Sequence, residues 1–191
     1  MLVLIAGIVV FLGVHAFTAV RSARAELIAR IGIGSYRGVY SLAAAVGLGL
    51  IVWGFARYRA DGWVQLWTPP EWTRYLAIGL MWFAFVALAS AGPALSRIKG
   101  WLRHPMLVGV TIWALAHLFA NGDLGGVLLF GSFLAWAVFD RIAVQRRGDY
   151  GAPPASVFMR ADAIAIGGGT LVYLAMIFLH PLLFGVAVLD L

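Results

Sequence analysis

Six stretches of 16 residues or more carry no charged residue: 2–20, 38–56, 75–96, 105–122, 124–139 and 163–189. A helix rising 1.5 Å per residue needs roughly 20 apolar residues to cross a bilayer core of about 30 Å. Runs of this length and number predict an all-α membrane protein, a polytopic bundle of about six transmembrane helices. The expected spans are about 2–20, 38–56, 75–96, 105–122, 124–139 and 163–183, in one domain covering 1–191. The run 124–139 is short for a span, and 163–189 is longer than one needs.

The rest of the composition agrees. Of 191 residues, 63% are hydrophobic and 12% charged, against about 25% charged in ordinary soluble domains. The net charge of +6 does not indicate nucleic acid, because the basic residues lie between the apolar runs, where topology signals belong. Cysteine is absent, which excludes disulfides, thiolate ligands and c-type haem attachment. The first twenty residues lack a basic leader, so they read as a retained helix rather than a cleaved signal. His-Glu-x-x-His, Gly-x-Ser-x-Gly and the phosphate-binding loop are all missing.

The connections set the expected orientation. The first, third and fifth contain Arg21, Arg24, Arg30 and Arg37, then Arg97, Lys99 and Arg103, then Arg141, Arg146, Arg147 and Arg160. The second contains only Arg57, Arg59 and Arg74, and the fourth contains none. Eleven against three places the odd-numbered connections in the cytoplasm of a bacterial inner membrane, with both termini on the periplasmic side. Asn121-Gly122-Asp123 reads as a tight turn between two helices, and Trp63, Trp67 and Trp72 as interfacial anchors.

Polar chemistry within the spans is confined largely to four histidines. His15, His104, His117 and His180 all fall inside or at the edge of apolar runs. A buried imidazole needs a partner, and ionisable groups in a membrane usually face the bundle interior and mark function. A neutral histidine can simply hydrogen-bond a neighbouring helix. The sharper reading is a b-type haem held between two of them, since imidazole is a good axial ligand. Copper or zinc would also accept imidazole, but no spacing motif supports either. His104 and His117 lie about 20 Å apart along one helix and cannot share an iron. Taking each span's centre as the midplane, His15 lies about 6 Å to the cytoplasmic side and His117 about 5 Å to the other. His180 lies about 10 Å beyond the midplane on the side of His117. Depth therefore favours His117 with His180, and a tilted His15–His117 pair stays open.

The block WLRHPMLVGVTIWALAHLFANGDLGGVLLFGSFLAWAVFDRI, joined to GVHAF in the first run, closely resembles the NnrU family. That family comprises small multi-span membrane proteins associated with denitrification and nitric oxide metabolism. The resemblance covers nearly the whole chain and is strongest from Gly100 to Arg141. The pattern is shared by the plant-type zeta-carotene isomerase, which uses haem b. The resemblance places its haem-ligand histidines at His15 and His117. It implies a redox role, or haem-dependent isomerisation of an apolar small-molecule substrate, with a redox partner possible. Arg103 and His104, at the cytoplasmic mouth of the fourth span, could hold a haem propionate or another anion, and Arg103 could equally be a topology anchor.

Arg103-His104-Pro105 with Gly109 also resembles the cofactor region of isoprenylcysteine and phospholipid methyltransferases, in which Arg and His help bind S-adenosylmethionine. Those enzymes continue with a Glu-Glu pair, where this chain has DRIAVQRRGDYG. A third reading is a non-enzymatic assembly factor whose histidines only pack helices.

Overall fold

The computed structural model describes residues 1–189; the C-terminal Leu191, expected on the periplasmic side, lies outside them. The described residues form α1 (Leu2–Ala19), α2 (Arg21–Ala60), α3 (Glu71–Ala89), α4 (Arg97–Leu102), α5 (Pro105–Ala120), α6 (Leu124–Arg146) and α7 (Arg160–Phe184). The chain is thus an all-α membrane protein. Five of these helices are long and apolar enough to cross a membrane, and α5, at 16 residues, is the shorter apolar one.

Several helix boundaries differ from the uncharged runs. Residues 21–37 do not form a connecting loop but continue as helix into the second span, broken only at Gly32 (φ 79°, ψ 156°). Arg, Ala, Glu and Leu are good helix formers, and Gly32 adopts the positive φ that other residues avoid. The third helix stops at Ala89 rather than continuing to 96. Pro93 disfavours helical backbone at the residue before it, and Ser90 donates back into the last turn, its hydroxyl to Ala87 O and its amide to Val86 O. The helix over the fifth run is longer than the run itself: α6 extends to Arg146 over 23 residues.

The chain divides into two compact units, each made of two separate segments. The first comprises 1–68 with 121–144, and the second 69–120 with 145–191, described to residue 189.

In the first unit α1 and α2 run antiparallel with their backbones almost touching. A Cβ on Gly7 would lie 2.5 Å from the Ile51 amide nitrogen, and one on Gly47 would lie 2.7 Å from that of Phe11. Gly54 meets the Leu4 backbone in the same way, and Leu4 is fully buried. Small residues at such crossings let dispersion forces hold helices in lipid, where the hydrophobic effect gives no drive. α6 lies parallel to α1, with Phe133 beside Phe11 and Trp136 beside His15. At the opposite end, Gly122 O accepts from the amides of Leu66 and Trp67, and Leu124 N donates to Val64 O. Asp123 then caps α6 by accepting from Gly126 N at 2.9 Å.

In the second unit α3 packs against both α5 and α7. Gly109 of α5 admits Leu88, and Gly169 of α7 admits the backbone at Val86. Trp82 donates to Thr170 Oγ1 at 2.9 Å, while Arg74 donates through two nitrogens to Val188 O. Much of the surface is aliphatic: Leu171 is 70% exposed and Leu182 80%. Such a surface suits lipid rather than water.

Candidate functional site

The candidate histidines fall into two kinds by the ring nitrogen that the protein engages. His15 sits on α1 with Nδ1 2.6 Å from Phe11 O, one turn back on the same helix. His117 repeats the arrangement on α5, with Nδ1 2.8 Å from Trp113 O. His180 on α7 reaches forward instead, Nδ1 lying 2.8 Å from Val186 O beyond the helix end. A carbonyl can only accept, so in the neutral ring each Nδ1 carries the proton and each Nε2 the lone pair. This is the tautomer in which an imidazole binds a metal through Nε2 while a backbone carbonyl fixes its orientation.

His104 differs. Its Nε2 lies 3.1 Å from Asp149 O, which places the proton on Nε2. It belongs to a clamp with Arg103, whose guanidinium donates to Ala152 O at 3.1 Å while its own carbonyl accepts from Ala152 N at 2.9 Å. Arg103 has φ 62° and ψ −56°, and His104 N donates to Leu102 O at 2.6 Å. This is a γ-turn of the rarer, positive-φ kind. Gly151, also at positive φ, lies flat against the Arg103 carbonyl, where a Cβ has no room. The Arg-His-Pro triplet therefore holds the 149–152 loop against the start of α5.

The ring environments also differ. His15 stands among Phe11, Tyr40 and Trp136, at centroid distances of 4.3, 5.5 and 5.8 Å. His117 has Trp113 at 5.2 Å, and His180 has Phe184 at 4.8 Å. His117 and His180 share the second unit and lie within electrostatic reach of one another. His15 belongs to the first unit. Among the described residues no three His, Cys, Asp or Glu side chains are grouped to hold a metal ion. A haem, which supplies four nitrogens of its own, needs only one or two protein ligands.

Three polar residues escaped the sequence reading. Asp162 is fully buried and accepts from the amides of Arg97, Ile98 and Met159 at 3.0, 2.8 and 2.8 Å, tying α4 to α7. An acid in the first turn of a helix was a visible signal for the Met159 bond, but its partners 64 and 65 residues away were not. Tyr36 and Trp136 are the others. Their hydroxyl and indole nitrogen are buried without a hydrogen-bond partner among the described residues.

No curated protein and no solved structure matches the chain. The family model described as NnrU protein, however, matches residues 3–188. With an apolar helical architecture and histidines on three of its helices, the chain belongs to the NnrU family.

Proposed function

We propose that this protein is an integral protein of the bacterial inner membrane that holds a b-type haem through His117 and a second histidine. His15 is the preferred partner on family resemblance, and His180 is the alternative on depth and shared unit. The observation that carries the reading is the common hydrogen bonding of the three: in each, Nδ1 is tied to a carbonyl and Nε2 has the lone pair. The donor set therefore fits the group. A bound haem would supply one-electron chemistry at its iron. The residues orient their rings through the carbonyls of Phe11, Trp113 and Val186. The role is redox chemistry in denitrification and nitric oxide metabolism, or isomerisation of an apolar substrate. The basic connections orient the chain with 21–37, 97–104 and 141–161 in the cytoplasm.

Absorption spectra of purified protein, oxidised and then dithionite-reduced, test the reading. Wild type should show the bands of a six-coordinate b-type haem, and His117→Ala should lose them while still eluting as a folded protein. Loss in His15→Ala supports one pair, and loss in His180→Ala the other. His104→Ala should retain the bands. Wild type that remains colourless after expression with ample haem ends the proposal.

A further inference from the structure

Among the described residues, the first unit contains two buried hydrogen-bond donors without an acceptor. Tyr36 is 6% exposed, and both its hydroxyl and the indole nitrogen of Trp136 are buried and unpaired. An indole N–H can only donate. Leaving such groups unmet is costly, and phenylalanine would fill the same space without that cost. The two belong to one aromatic array. Tyr36 lies 6.3 Å from Tyr40, Tyr40 lies 5.5 Å from His15, and His15 lies 5.8 Å from Trp136. Phe11 and Phe133, 5.6 Å apart, extend the apolar part. Arg24 brings a positive charge to the array, its guanidinium carbon standing 5.3 Å from the centre of the Tyr36 ring.

We propose that this array is a seat for the carboxylate of a largely apolar ligand, received by the Tyr36 hydroxyl and the Trp136 N–H under the positive charge of Arg24. Donors without an acceptor call for an acceptor, and the neighbouring guanidinium favours an anionic one. His15 is near the end of α1, Tyr36 just precedes the uncharged run 38–56, and Trp136 lies midway along α6, so the array links the end of α1 to the middle of α6. A ligand with its carboxylate there can lay its apolar body along the helices. Two sources offer this chemistry: a haem propionate, which rests on the proposed function, and a free fatty acid, which does not.

The test compares acids with their esters in wild type, Tyr36→Phe, Trp136→Phe and the double variant. Haem b and its dimethyl ester are loaded separately, and their loss to apomyoglobin is timed; oleate and methyl oleate are compared in parallel by binding. Wild type should release haem b roughly tenfold more slowly than the ester, the size of effect expected for a charge-assisted hydrogen bond. In the double variant that preference should vanish while the six-coordinate spectrum stays unchanged. A wild type that refuses haem but prefers oleate to its ester, a preference lost in the double variant, keeps the seat and discards the haem. Wild type that treats acid and ester alike overturns the proposal, as does a double variant that keeps the preference. Should the double variant not fold, the single variants decide: each should lose part of the preference, and single variants that both keep it in full overturn the proposal.

Discussion

Asp162 has no exposed surface, and its carboxylate gathers three backbone amides from two segments of chain. Asp162→Ala strands those amides in a buried site and should lower stability by about 3 kcal/mol, with a smaller loss for Asn, which can still accept. The midpoint of denaturant unfolding in detergent checks both. The Arg103 clamp is also a matter of single atoms. His104→Ala removes the bond to Asp149 O, and Gly151→Ala places a Cβ against the Arg103 carbonyl at a positive φ. Each should free the 149–152 loop, so trypsin should cut at Arg146 and Arg147 sooner than in wild type. The haem bands, if present, should be unaffected. Faster cutting together with loss of the bands would mean that the clamp supports the cofactor and not only the loop. That the four histidines fall inside or at the edge of the uncharged runs was legible in the sequence. The nitrogen each one presents was not, because this depends on carbonyl geometry that has no signature in residue order.

At the scale of the helix, the glycines of α1 and α2 set the distance between two backbones. Gly47→Leu forces apart helices already in contact and should cost at least the roughly 1–3 kcal/mol typical of overpacking. Gly49→Leu, on the same helix with open space at its Cβ, should leave the unfolding midpoint nearly unchanged. That the chain is a bundle of long apolar helices was legible because apolar length sets it. The helical stretch 21–31 was hidden by its charges, and the early stop at Ala89 depends on a proline four residues on. The helix carrying His117 is another surprise. At 16 residues α5 is about 24 Å long, short of the roughly 30 Å core. It can cross only if the bilayer thins around it or its flanking residues reach for the interface.

For the whole molecule this short helix decides the count of crossings. With six crossings, reporter fusions at Asp149 and Leu191 should lie on opposite sides, and fusions at His104 and Asp123 should do the same. If Asp149 and Leu191 separate as expected while His104 and Asp123 share a side, α5 dips into the membrane and returns, and the net orientation of the earlier helices must be reassigned.

The two compact units are interleaved along the chain, since α6 belongs with α1 and α2 although α3, α4 and α5 precede it. A ribosome therefore delivers the pair α1–α2 long before the helix that completes its company. For that interval Trp136 is still unmade, and His15 faces the bilayer with fewer aromatic neighbours than it will have. A nonsense mutation anywhere before residue 121 removes all of the first unit's late segment. The reading frame thus works as an assembly schedule in which neither unit can be released early or inherited separately by a single cut of the gene.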